Sequence, residues 1–456
     1  MKLAVYAACL RRYNESNDRK NQNALFNRNE KAFYRNLTSK EIPVTPPKKE
    51  EVTAFWKNLW SNPVQHREGG EWIEKEIARQ EAVPEQTNHV ITVNELAETI
   101  RGTHNWKCPG ADNVQNFWYK SFPVLHAHLT QQANRIVQHP ELAPEFLTEG
   151  RTFIKPKDED TKNPANYRPI TCLPTIYKII TATLCRKIDR HLISNEVLTE
   201  EQKGCRKQSK GCKEQLIMDS VILKQTEKNR RNLNTTFIDY HDIKIYFSSP
   251  GELKLLLGVV ESVSADICME FGLEKSRVLN IYRGKVAEEE EDQTLYGTIV
   301  EQMDENDSYK YLGFQQNRRL NHSDIKHMVQ QHYEQRLRVL LRSRLNSRNL
   351  FKAINTFAVP VLTYSFGIIK WTTTDLENIN IKTRVLLTKS QKLHPKSCKE
   401  RVTLGREVGG RGLLDIHELC NRQVHDLRTY FTNREHPLHQ AIVCTDRNLL
   451  GDLFSK

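Results

Sequence analysis

The chain has 456 residues, of which 68 are Lys or Arg and 56 are Asp or Glu, for a formal charge of +12. That length allows about three domains of ordinary size or one large multi-lobed body, and the positive excess favours a polyanionic partner, nucleic acid before an anionic membrane. With 38% hydrophobic and 27% charged residues, the composition excludes wholesale disorder, collagen-like chains and coiled coils.

The first ten residues, MKLAVYAACL, carry a short apolar patch whose flanks and length make a weak signal peptide. Residues 1–89 are polar and punctuated by Pro43, Pro46 and Pro47. Phe55, Trp56, Trp60 and Trp72 stand at spacings suited to amphipathic helices, so a helical extension anchored by aromatics is expected. Thr92-Val-Asn-Glu95 is a capping signal that opens a helix through Ile100; Lys107-Cys-Pro-Gly-Ala-Asp112 is a loop, and a second helix follows from Asn116. Phe153 to Lys155 is a strand that runs into the polar loop Pro156 to Ala165, and Tyr167-Arg-Pro-Ile-Thr171 returns extended, making a candidate β-hairpin. Beyond Pro174, Ile176, Ile180, Leu184, Ile188 and Leu192 recur every four positions, which predicts the core face of a long helix.

Leu233 to Phe247 reads as one strand, Gly251 to Phe271 as a helix, and Ala287 to Asp307 as an acidic, partly solvated insert. Residues 322–433 are mostly helical. Between Tyr333 and Arg348, Leu337, Leu340, Leu341 and Leu345 form an apolar stripe, with Arg336, Arg338, Arg342, Arg344 and Arg348 on the other faces. Such a helix either tracks phosphates or packs with a solvated basic face. The longest apolar stretch, Ala358 to Ile369, is broken by Pro360, Thr363, Tyr364 and Ser365 and is too short to span a bilayer, so no membrane partner is expected. The ten cysteines are scattered, without a Cys-x-x-Cys pair or a Cys/His cluster at zinc spacing. That pattern points to reduced thiols in an intracellular protein, nuclear or cytoplasmic, and to no structural zinc.

Nucleotidyl transfer needs carboxylates for two divalent metals, cations for a triphosphate and basic surface for template and primer. Lys155 and Arg168 flank the predicted hairpin, where a point charge and a bidentate guanidinium can meet phosphate oxygens on one side; two ordinary surface cations are the alternative. Gln202-Lys-Gly-Cys-Arg-Lys207, with Lys210 and Lys213, is a basic, glycine-punctuated segment suited to a nucleic-acid backbone or to a solvated loop. Phe237-Ile-Asp-Tyr240 sets one carboxylate in an apolar strand, and a buried Asp is costly unless it is paired, hydrogen-bonded or metal-bound. Asp239 is therefore the first catalytic candidate, beside a satisfied structural Asp.

Trp106-Lys-Cys-Pro-Gly-Ala-Asp112, Asn166-Tyr-Arg-Pro-Ile-Thr171, Gln202-Lys-Gly204, Phe237-Ile-Asp-Tyr240, Asp242-Ile-Lys-Ile-Tyr246, Phe271-Gly-Leu-Glu-Lys275, Tyr309-Lys-Tyr-Leu-Gly313 and Gly409-Gly-Arg-Gly-Leu413 follow one another in an order that resembles the reverse transcriptases of non-LTR (LINE-type) retrotransposons. The resemblance implies an α+β, right-hand polymerase fold: a helical N-terminal extension over 1–89, fingers over 90–236, a truncated palm over 237–315, and a helical thumb and C-terminal region over 316–456. It implies Arg168, with Lys155, at the incoming triphosphate; Gln202, Lys203 and Gly204 beside the template; Asp239 and Asp242 as catalytic, metal-binding aspartates; Lys275 as the later palm lysine; and Tyr311, Leu312 and Gly313 as the turn that grips the primer. Mg²⁺ and deoxynucleoside triphosphates are the implied cofactor and substrates, and RNA and DNA the partners.

The sequence departs from that pattern at its centre. The family's palm has a long stretch with a Gln-Gly-Asp-like motif between the first aspartate and the paired aspartates; here Tyr240 is followed directly by His241-Asp-Ile-Lys-Ile-Tyr246, with His241 in place of the first Asp of the pair. Gln208 stands where a Gly is usual. On one strand, Asp239 and Asp242 would point to opposite faces and fail to converge on two metals. The missing stretch would also leave apolar faces of fingers and thumb without partners. The expected function is that of a reverse-transcriptase-like retroelement protein, inactive in this form; the alternative is a non-catalytic RNA- or DNA-binding protein of the same origin. An active polymerase split by a wrongly assigned intron and a decayed element also stay open.

Overall fold

The computed structural model describes residues 2–38, 46–86, 89–157, 160–204, 206–238, 243–269, 272, 275–287, 294–295 and 297–449. They form two compact units: Ile42–Gln202 with Val263–Met269, and Met1–Glu41 with Lys203–Ser262 and Glu270–Lys456. Helices dominate and the strands form small antiparallel sheets, an α+β arrangement. Among the described residues no helix is long and apolar enough to cross a membrane.

In the unit containing 42–202, the helix Val93–Gly102 starts on the expected capping box: Thr92 Oγ1 accepts from the Glu95 amide at 3.2 Å, and Glu95 Oε2 accepts from the Thr92 amide at 3.0 Å. Two otherwise orphaned amides are satisfied, a stabilisation of about 1 kcal/mol. The inner face of this helix, Leu96 and Ile100, packs with Ile91, Ala133, Ile179 and Ile180 in a core of its own. Gly110 lies in the expected loop because a Cβ there would come within 2.3 Å of the Pro174 nitrogen. The helix Asn116–Ser121 follows it.

The four-residue ladder on the helix Thr175–Ser194 is only partly core. Each such step overshoots a full turn by about 40°, so the row drifts off the buried face, and Ile188 is 48% exposed. The buried positions are Thr175, Ile179, Ile180, Thr183 and Lys187. Lys187 is tolerated inside because its ammonium sits 3.0 Å from Glu95. Of the expected aromatic anchors, Trp72 donates its indole N–H to Asp266 at 2.9 Å, whereas Phe55 and Trp60 are exposed.

The other unit is built on a four-stranded antiparallel sheet. Its strands are β3 (Leu233–Ile238), β4 (Ile243–Phe247), β5 (Arg277–Tyr282) and β6 (Lys285–Val286), in the order β4-β3-β5-β6; β1 (Arg151–Pro156) and β2 (Tyr167–Cys172) form a hairpin in the first unit. The expected single strand over 233–247 is therefore two strands, with Ile238 opposite Ile243. β3 is buried over its whole length because both sheet faces are covered. Ile238 and Val278 pack with Leu253 and Leu257 of the helix Pro250–Asp266 on one face. Phe237, Leu279 and Ile281 join the large core on the other.

The described residues of the acidic insert are partly solvated, as expected, with Glu301 and residues 304–307 exposed. Val300 and Met303 are buried, and the Val278 amide donates to Glu301 O while the Met303 amide donates to Val278 O. Two short strands, β7 (Thr294–Leu295) and β8 (Thr298–Ile299), pair within it.

The expected helix from Tyr333 to Arg348 breaks: one helix ends at Arg342 and another, Ser347–Ala353, begins after it. Ser343 Oγ donates to Leu340 O at 2.6 Å, and Asn346 Oδ1 accepts from the Asn349 amide at 2.9 Å; these local bonds compete with helix continuation. Leu337, Leu340, Leu341 and Leu345 are all buried, so these leucines do not lack partners. Phe26 and Phe33 of the N-terminal helices enter the same core, and Tyr34 stacks on Phe357 at 4.5 Å. Among the described residues, Leu255 and Val259 on one side of the helix Pro250–Asp266 are exposed.

Candidate nucleic-acid interface

The expected hairpin forms: β1 (Arg151–Pro156) pairs antiparallel with β2 (Tyr167–Cys172), and Lys155 lies directly opposite Arg168. The period of two puts Phe153 and Ile170, also paired, on the same face. Every residue of β1 is exposed, as are Arg168 and Ile170. Two like charges directly across a ladder repel, at a cost of up to about 1 kcal/mol, unless an anion lies between them. The face thus offers a cation pair beside apolar surface, a combination suited to a phosphate with its attached base.

The 202–213 segment behaves differently. Gln202 and Gly204 are exposed, but Lys203 is buried with its Nζ 2.6 Å from Glu214 Oε1, so its charge is spent inside the protein rather than offered to a template. Glu214 also accepts from Tyr430 Oη at 2.7 Å and lies 2.7 Å from His439 Nε2. Burial raises the Glu214 pKa, but the bonds from Lys203, His439 and Tyr430 outweigh it and hold it at about 2. Lys213 donates to the carbonyls of Thr363 and Phe366 and to Gln423; burial pulls its pKa down to about 8. Lys210 is exposed. Gln208 adopts φ +65°, the left-handed conformation that a glycine takes without strain, which accounts for the residue usual there.

β9 (Tyr309–Tyr311) and β10 (Phe314–Gln316) form a hairpin whose turn residues are Leu312 at φ +46° and Gly313 at φ +91°, the pattern of a type I′ turn. A leucine in this conformation costs about 1 kcal/mol or more. It is held by a bond from Tyr364 Oη to Leu312 O at 2.8 Å and by Tyr364 stacking on Phe314. Tyr311 itself is buried.

Asp239 and Asp242 lie outside the described residues. The expected single strand that would carry both is replaced by two antiparallel strands, Leu233–Ile238 and Ile243–Phe247. A buried carboxylate that bonds to β4 is Asp219, on the helix Cys212–Lys228. Its Oδ1 accepts from Lys244 Nζ at 2.5 Å and Tyr246 Oη at 2.6 Å, and its Oδ2 accepts from Gln316. Burial lowers the Lys244 pKa, opposed by Asp219, and the ammonium lies 4.4 Å from the Phe237 ring centroid. With both oxygens taken by donors and a cation in contact, Asp219 does not fit as a Mg²⁺ ligand, and no catalytic step is derived through that ion. In the sequence, the alternation of Lys244 and Tyr246 with Ile243 and Ile245 marks them as one face of a strand.

Over 150 residues, 33% of the chain, the sequence is 25% identical to the "Probable RNA-directed DNA polymerase from transposon BS" of Drosophila melanogaster. The match spans 16% of that protein's length. It supports a relationship to a retrotransposon reverse transcriptase. No family model matches the chain.

The arginines between Tyr333 and Arg348 are divided between surface and structure. Arg336, Arg338, Arg342, Arg344 and Arg348 are exposed, but Arg336 donates to Phe357 O and Arg338 reaches Glu334. Arg344 lies 3.6 Å from Glu15.

Proposed function

We propose that the chain is a reverse-transcriptase-like protein of a non-LTR retroelement that binds RNA or DNA without extending a primer. The observation that carries the binding half is the exposed Lys155–Arg168 pair, which no described carboxylate neutralises. The absence of extension follows from the shortened palm: Tyr240 and His241 are adjacent where the family carries its second catalytic motif, and the Asp219 carboxylate is committed to Lys244, Tyr246 and Gln316. In this reading the hairpin face holds backbone phosphates and the Leu312–Gly313 turn lies along bound strand.

Purified full-length protein should shift a labelled primed RNA template in a binding assay and leave the primer unextended with Mg²⁺ and all four dNTPs. Extension that Asp239→Asn abolishes would overturn the inactive reading and restore the polymerase. Failure to bind at low salt would overturn the binding reading.

A further inference from the structure

A second concentration of positive charge lies in the unit that contains 270–456. It is a groove of about 380 Å³ lined by Lys392, His394, Lys396, Arg401 and Arg411, and none of its lining residues is acidic. Its wall is built rather than accidental. The Gly409-Gly-Arg-Gly-Leu413 stretch folds back on residues 401–405: the Arg411 amide donates to Arg401 O at 2.8 Å, the Gly412 amide to Leu404 O at 2.8 Å, and the Gly410 amide to Gly405 O at 2.9 Å. A Cβ at Gly410 would sit 1.9 Å from Leu404 O, so only glycine permits this approach. The fold-back sets Arg411 beside Arg401.

Both guanidiniums are anchored on one edge. Arg401 Nε donates to Gly409 O at 3.2 Å, and Arg411 Nη1 donates to Ser347 Oγ at 2.8 Å. Their remaining N–H groups are thereby oriented at reduced entropic cost to an incoming anion. The Lys396 amide donates to His394 Nδ1 at 3.1 Å. That bond requires the ring proton on Nε2, leaving Nε2 as a donor. Lys392 and Lys396 have no ion-pair or hydrogen-bond partner for their ammonium groups among the described residues.

We propose that this groove binds a backbone phosphate of the nucleic acid, a second anchoring point besides the Lys155–Arg168 face. The proposal rests on the nucleic-acid reading above and deepens it. Anchored arginines and lysines without acidic partners match a phosphodiester: two non-bridging oxygens accept, and one negative charge offsets the mutual repulsion of the cations.

The test uses the full-length protein and a labelled single-stranded RNA of about 20 nucleotides, titrated by fluorescence anisotropy over a range of salt. Lys392→Gln/Lys396→Gln removes two cations that make no described contact in the protein, so its melting curve should match wild type. Lys31→Gln/Lys254→Gln removes the same charge from exposed positions elsewhere in that unit. The groove variant should weaken binding about tenfold and reduce the slope of log K against log salt by about 1.4, two contacts at about 0.7 each on a single strand, with the control changing much less. Equal losses in the two variants would overturn the groove while leaving RNA binding in place. A wild-type protein that fails to bind would overturn the underlying reading with it. Lysine acetylation distinguishes the source of the phosphate: protection of Lys392 and Lys396 by RNA but not by inorganic phosphate supports a backbone site, and protection by inorganic phosphate alone would overturn it in favour of a free-anion site.

Discussion

Two hairpins in this chain carry the same chemistry to opposite ends. In β1–β2, Lys155 and Arg168 stand across from one another in solvent, on a strand exposed at every position. In β3–β4, Lys244 is closed inside the core against Asp219 and the Phe237 ring. The first arrangement pays repulsion in the free protein and recovers it when an anion binds; the second has already spent its charge on folding. A basic residue in the sequence therefore says little about nucleic-acid binding until its partner is known, and Lys203 and Lys213 repeat the lesson within one segment.

The sharpest way to break this contrast is to remove Asp219. Asp219→Ala leaves Lys244 buried without its counter-ion, and unfolding in denaturant should show a loss of about 3–5 kcal/mol. A loss below about 1 kcal/mol, the scale of an exposed pair, would mean that Lys244 is not truly sequestered.

The Glu214 cluster sharpens the same point through pH. Its folded-state pKa of about 2 lies below the ordinary value of 4.5, so its contribution is fully present above the ordinary value and is lost as pH falls from there toward 2. The shift corresponds to about 3 kcal/mol. Stability measured across that window should fall more steeply in wild type than in Glu214→Gln; parallel curves would place the acid sensitivity elsewhere.

On the exposed hairpin the expected effects reverse. Lys155→Gln/Arg168→Gln should leave thermal stability within about 0.5 kcal/mol of wild type and weaken RNA binding about tenfold, with a shallower salt dependence. The smallest effect is expected at Gln208, where φ is +65°. Gln208→Gly relieves left-handed strain but adds freedom to the unfolded chain, for a net gain of about 0.5 kcal/mol in denaturant unfolding.

Local features were legible in the sequence because their partners are neighbours. The capping box at Thr92 spans three residues, the 151–172 hairpin shows as two extended runs around a polar loop, and the stripe on the 322–342 helix reports its buried face. The reversal between β3 and β4 was not legible: Asp-Tyr-His-Asp carries no glycine or asparagine to mark a turn. The buried cations were hidden for another reason. Lys187 is neutralised by Glu95, Lys244 by Asp219 and Lys203 by Glu214, and none of these pairs stands at a helical or strand spacing that local pattern reveals. The leucines between Tyr333 and Arg348 keep apolar partners because the N-terminal helices and the strands β5, β9 and β10 enter the same core.

The account turns on whether exposed cations of the β1–β2 face, rather than total positive charge, bind nucleic acid. The most direct test is the RNA affinity of folded Lys155→Gln/Arg168→Gln beside that of the Lys31→Gln/Lys254→Gln control, by anisotropy at one low salt concentration. The account predicts about a tenfold loss for the hairpin variant and a much smaller loss for the control. Equal affinities would contradict it, leaving the hairpin's cations as ordinary surface charge.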